Sequence, residues 1–207
     1  MSFLKTLADK ADPTHTALVV ADMQRGYWPP IREHTGPAEV ALPVQSFIAA
    51  ARAVPVPIIY VRNSFSPWAA LPSWEERWQY SIPDATHYKQ EETPGLDLID
   101  GLEPRPGELV LNHHFWTAFV HSPLDLALRT RRIKTVVFIG GAVLGALWMA
   151  AREAVVHGYY AIMVEDCMFP AAGPVRDVTL EYAHKRLAQV VTSQEMLAVW
   201  GKSPKGG

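Results

Sequence analysis

The sequence predicts an α/β protein, a three-layer α/β/α sandwich around a mainly parallel sheet of about six strands. Short apolar runs rich in β-branched residues recur along the 207 residues, each stopping at a polar residue or a glycine. Between them lie stretches with apolar residues at helical spacing. Strands alternating with helices demand a parallel sheet covered on both faces. The most informative run is Thr135 to Ile139, which ends in Gly140-Gly141 and turns into an amphipathic stretch reaching Arg152. Paired glycines allow a sharp turn and close approach of a ligand. The helix that follows exposes backbone N–H groups beyond the strand's carboxyl end, where open α/β sheets build their sites.

The elements follow in order. Asp12-Pro13-Thr14 is a turn, and Thr16 to Asp22 is a buried strand ending in a carboxylate. Met23 to Pro30 is a loop closed by glycine and proline. Pro37 to Ala53 reads as a helix through Val40, Val44, Phe47, Ile48 and Ala51. Pro57 to Arg62 is the second strand, with proline at its permitted first position. From Asn63 to Gly107 no period is sustained, yet the segment holds Trp68, Trp74, Trp78, Tyr80 and Tyr88. It is too aromatic for a solvated linker and reads as a lid or subunit contact within one domain spanning 1–207. Glu108 to His113 is the third strand. Ser122 caps a helix that has Pro123 at its first position and runs to about Arg131. After the central strand and its helix, which Gly158 stops, come a strand from Tyr159 to Asp166 and an amphipathic helix from Gly173 to Leu187. A short strand from Gln189 to Thr192 and a terminal helix capped at Ser193 complete the chain.

Composition narrows the function. A formal net charge of −2 argues against a nucleic-acid or anionic-membrane surface. The apolar runs are too short to span a bilayer, and Met1 to Lys10 lacks the features of a signal peptide, so a cytoplasmic protein is expected. The single cysteine, Cys167, excludes a disulfide framework and a cysteine-clustered zinc site, and it reads as a small buried residue just past the fifth strand. The eight histidines are scattered, and no Gly-x-Gly-x-x-Gly follows a strand. Neither a metal nor another cofactor is expected. The expected partner is a small molecule.

Three strand ends carry the candidate chemistry: Asp22, Asn112-His113 and Gly140-Gly141. Here the chain resembles the isochorismatase-like hydrolases, or cysteine hydrolases, over nearly its whole length. Ala17 to Gln24 is similar to the family's first-strand motif ending in Asp-Met-Gln. His113 to Phe119 is similar to Lys-x-x-x-Ser-Ala-Phe, with Thr117, Ala118 and Phe119 in register. Gly140 to Arg152 is similar to the family's Gly-Val-x-Thr-x-x-Cys segment, and Arg152-Glu153-Ala154 matches its Arg-Asp-Ala. The resemblance implies a homo-oligomer and a site of aspartate, lysine and a cysteine that attacks a carbonyl. Asp22 takes the aspartate's place, His113 (or Asn112 with a one-residue slip) the lysine's, and Ala146 the cysteine's. It further implies a cis peptide at Gly141–Ala142 and an oxyanion hole from the N–H groups of Ala142 and Ala146. Gln24, Trp28, Asn112, Phe115, Trp116 and Val143 are the candidate substrate-binding residues.

The departures matter more than the matches. Ala146 has no nucleophile, so thiol acyl transfer is impossible in this chain. Three explanations stand: a laboratory replacement of the nucleophile, a natural enzyme working through its aspartate as the family's vinyl-ether-cleaving branch does, or a binder derived from an enzyme. The absence of lysine at both 112 and 113 favours natural divergence. Asp22, buried without a lysine, then suits a general acid. His113 would share its proton or hold a water, the plainer alternative being a hydrogen-bonded core histidine. His114 reads as a surface residue and Lys89 as a solvated one.

Overall fold

The computed structural model describes residues 3–26, 40–69, 71–73, 76 and 94–201. Six strands form one sheet: β1 (Thr16–Ala21), β2 (Ile58–Asn63), β3 (Leu109–His113), β4 (Thr135–Ala142), β5 (Tyr160–Phe169) and β6 (Gln189–Val191). Their spatial order is β3-β2-β1-β4-β5-β6, and every adjacent pair is parallel. The helices are α1 (Leu7–Lys10), α2 (Ala41–Ala51), α3 (Leu124–Thr130), α4 (Ala146–Val156), α5 (Pro174–Arg186) and α6 (Ser193–Trp200).

Alternation along the strands sends side chains to two cores. On one face, Ala17, Val19, Ala21, Phe138 and Met163 pack with Leu128 of α3, Leu147, Ala150 and Ala154 of α4, and Leu180 and Ala183 of α5. On the other, Leu18, Val20, Val137, Ile139 and Ile162 pack with Val44, Phe47 and Ile48 of α2 and Met196 and Trp200 of α6. Burial on both faces is why β1 and β4 read as continuous apolar runs.

Several local expectations change. The chain at 122–123 places Pro123 in the cap position of α3, but Ser122 still serves it, its Oγ accepting from Leu124 N at 3.1 Å. The cap of α6 is Thr192, in a reciprocal capping box with Glu195, because Ser193 is already held by Asp166 through both its N–H and its hydroxyl. Strand β5 extends to Phe169, so Cys167 lies inside it, fully buried, rather than on a loop beyond it. Its thiol is pushed up to about 12, by burial first and then by Asp166. The apolar stripe of α5 is divided: Leu180 and Ala183 face the core, whereas Val175, Val178 and Tyr182 are exposed. Residues 37–39, Trp74, Trp78, Tyr80, Tyr88 and Lys89 lie outside the described residues. No helix among the described residues is long and apolar enough to cross a membrane.

Candidate active site

The site forms at the carboxyl ends of β1, β3 and β4. Strand pairing sets Ala21 opposite Gly140, and Asn63 opposite His113. Continuing that alternation, Asp22 would face the same side as Arg62 and Asn112. It does not, because its backbone is left-handed, with φ of 52°, a conformation that aspartate tolerates better than most residues. Its N–H still donates to Val61 O at 2.9 Å. The carboxyl leaves the sheet pattern and meets His113, Oδ1 lying 2.8 Å from Nε2.

That contact crosses the end of β2. Two strand spacings separate β1 from β3, about 9.6 Å, so only a long side chain on β3 closes the gap. His113 does so, and Asn112 points to the opposite face, where its Oδ1 accepts from Arg62 Nε at 3.1 Å. Of the two candidates, His113 is the one placed against Asp22. Asp22 is 0% exposed and His113 is 1% exposed, so water does not screen their interaction.

The third strand end is held close by glycines. Gly140 and Gly141 have φ of 81° and 29°. A side chain at 140 would collide with the Ala21 carbonyl. A Cβ at 141 would sit 3.1 Å from Ala21 Cβ and 3.2 Å from Leu147 Cβ. Gly141 thus packs between Ala21, the residue before Asp22, and Leu147, the residue after Ala146. Gly145 precedes α4, which begins without a side-chain cap. The cis peptide expected at Gly141–Ala142 is not there: among the described residues the cis bond is Phe169–Pro170. Two successive glycines turn the chain in trans, and outside X–Pro bonds the cis form is costly.

The remaining candidates divide. Gln24 is fully engaged with backbone: Nε2 donates to Asn63 O at 2.9 Å, and Oε1 accepts from Asn63 N at 2.7 Å. Residues 94–102 cover this loop, Arg25 N donating to Asp97 O and Ile99 N to Met23 O. Val143 is buried, and Trp116 is 45% exposed. Phe115 contributes its carbonyl, which accepts from His113 Nδ1 at 2.7 Å. Trp28 lies outside the described residues. His114 is half-buried, its Nδ1 3.0 Å from Ser64 O. Trp68 is exposed.

Two groups escaped sequence reasoning. Asn63 at the end of β2 donates from Nδ2 to Phe115 O at 3.2 Å. Its position at a strand's carboxyl end was the available signal. Glu153 on α4 accepts a hydrogen bond from the Thr117 hydroxyl and so ties the β3 exit to that helix. Burial raises the Glu153 carboxyl, and nearby His157 opposes the shift. Among the described residues no three His, Cys, Asp or Glu side chains gather as metal ligands. Two open grooves of about 550 and 350 Å³ lie elsewhere: the larger, beside Lys10, Tyr160 and Gln189, is at the opposite edge of the sheet.

A crossover α/β sheet with an aspartate at the end of β1 and a glycine turn into α4 defines a class of hydrolase. Residues 16–195 match the Isochorismatase domain, and the chain belongs to that family. It is 30% identical over 183 residues to the ureidoacrylate amidohydrolase RutB of Pseudomonas savastanoi pv. phaseolicola, covering 78% of this chain and 73% of that protein. The RutB of Methylobacterium radiotolerans is 28% identical over 181 residues, covering 79% and 70%. Among solved structures, a cysteine hydrolase from Pseudomonas syringae pv. phaseolicola superposes with a TM-score of 0.81 at 22% identity, covering 93% of this chain and 95% of that one. The N-carbamoylsarcosine amidase of Thermoplasma acidophilum has a TM-score of 0.72 at 26% identity, covering 86% and 96%.

Proposed function

We propose that the protein is a hydrolase acting on a small polar or cyclic molecule by acid–base chemistry at Asp22 and His113, with no covalent thiol step. The observation that carries this reading is the buried 2.8 Å contact between Asp22 Oδ1 and His113 Nε2. The names of the amidohydrolase relatives make a ureido or carboxamide C–N bond the first chemistry to try. Water adds to the carbonyl carbon and gives up a proton to the Asp22 carboxylate. The proton held between Asp22 and His113 goes to the leaving nitrogen. Charge developing on the carbonyl oxygen falls toward the N-terminus of α4, whose N–H groups and dipole favour it. Ala146 makes no bond in this scheme and leaves room for the substrate.

The test is a panel of ureides, amides, esters and vinyl ethers, with wild type and Asp22→Asn compared. Turnover by the wild type that Asp22→Asn abolishes, with the fold intact, is expected. Turnover unchanged in that variant removes Asp22 from the mechanism, and none on any class leaves a binding protein. A second reading is favoured by the amidase relatives: an amidohydrolase whose nucleophile has been replaced by Ala146. Amidase activity gained in Ala146→Cys supports it, and an inert revertant counts against it.

A further inference from the structure

The hydrogen bonds around His113 fix more than its position. Nδ1 lies 2.7 Å from the Phe115 carbonyl oxygen, an atom that only accepts. Nδ1 must therefore carry a hydrogen. Nε2 lies 2.8 Å from Asp22 Oδ1, a distance that also requires a hydrogen, since two facing lone pairs would repel. That proton belongs to the gap: on Nε2 the pair is imidazolium and carboxylate, and on Oδ1 it is neutral imidazole and carboxylic acid. With Nδ1 held protonated, both forms contain the same number of protons and carry no net charge.

We propose that the Phe115 carbonyl, held by Asn63, locks His113 with Nδ1 protonated, so that the Asp22–His113 pair keeps one proton in its gap and offers substrate the free oxygen of Asp22. Asn63 is then a positioning residue. Its Nδ2 donates to the same carbonyl at 3.2 Å, which orients that oxygen toward both donors. Its peptide is in turn clamped by the Gln24 amide, through Nε2 to its carbonyl and Oε1 from its N–H. Gln24 is two residues from Asp22, so the hydrogen bonds close a circuit from Asp22 through Gln24, Asn63, the Phe115 carbonyl and His113 back to Asp22. Within it Asp22 Oδ2 is buried and has no hydrogen-bond partner among the described residues. It is the dyad's single unspent acceptor, and an unspent buried acceptor calls for a donor. A substrate N–H or a water O–H supplies one.

The use of this lock rests on the acid–base reading above, but its existence does not. The experiment is long-range proton–nitrogen NMR on the full chain labelled with ¹⁵N-histidine, the His113 signals being those lost in His113→Gln. Wild type is expected to show a protonated Nδ1 across neutral pH. Asp22→Asn is expected to keep Nδ1 protonated with Nε2 bare, because the carbonyl and not the carboxyl sets the tautomer. A bare Nδ1 in either protein overturns the proposal. Asn63→Asp keeps the shape at 63 but loses the donor, and is expected to bring in the Nε2–H tautomer and to lower kcat about a hundredfold with KM little changed. Asn63→Ala serves if the aspartate variant does not fold. A wild-type His113 spectrum in either variant refutes the role of Asn63. The spectra need no substrate: a locked ring without turnover on any substrate supports the lock and sinks the enzymatic reading, while turnover with an unlocked ring does the reverse.

Discussion

Replacing Gly140 with alanine drives a methyl into the Ala21 carbonyl oxygen and to 2.8 Å from Met23 Cγ, at a φ of +81°. Two costs add. Holding an L-residue in that left-handed region costs about 1–2 kcal/mol, and relieving a contact with backbone by shifting β1 costs about 1–3 kcal/mol more. The sum, about 2–5 kcal/mol, is a large share of the roughly 5–15 kcal/mol that holds a typical domain folded. Gly158→Ala is the matched control, since its φ is +92° and nothing lies within 4 Å of the new methyl. It bears only the conformational cost. In urea, with a slope of about 2 kcal/mol/M, Gly140→Ala is expected to lower the unfolding midpoint by about 1–2.5 M and Gly158→Ala by about 0.5–1 M. Equal shifts in the two variants would refute the close approach of β4 to β1. Ala21 and Met23 bracket Asp22, so Gly140→Ala is also expected to disturb the His113–Asp22 contact.

Cys167, buried and with its thiol pushed up to about 12, is expected to resist iodoacetamide in the native protein and to react fully in denaturant. Position 146 is also buried, so Ala146→Cys is expected to stay unlabelled at both 146 and 167 in the native protein and to react at both in denaturant; native-state label at 167, read by mass spectrometry, would be the contrary result. Glu153 gives a pH dependence whose sign follows from burial. Its carboxyl is raised above the ordinary 4.5, so the folded state binds more protons than the unfolded one, and stability falls as pH rises from about 4.5 through the folded value. Glu153→Gln removes that loss. Its thermal midpoint is expected to gain on wild type across this window, and a constant difference at all pH values would show that Glu153 does not titrate differently on folding.

The parts of the site legible in the sequence are those that depend on a strand's end. Asp22, His113 and Gly140 each terminate a run of apolar residues, and in a parallel sheet those ends share one edge. The parts that escaped depend on geometry that no period encodes. Choosing between Asn112 and His113 requires knowing that β2 separates β1 from β3 and that Asp22 turns left-handed out of its strand. Gln24 sits in a recognisable motif, yet its amide is absorbed by the Asn63 peptide, because a buried backbone bend needs its polar groups paired. The cis peptide was implied by resemblance alone, and here two glycines make the turn instead. Cys167 reads as a loop residue only if β5 stops at Asp166. The strand continues through Glu165 and Asp166, which are less buried than their neighbours, and returns to the core at Cys167.

The strand order has a consequence for motion. His113 lies on β3, which among the described residues is the outermost strand of the sheet, paired on one side only. Marginal strands open at lower free energy than central ones. Fraying of β3 from β2 would therefore release the imidazole while β1, β4 and β5 stay assembled, so the dyad can come apart and exchange its proton with solvent without the protein unfolding.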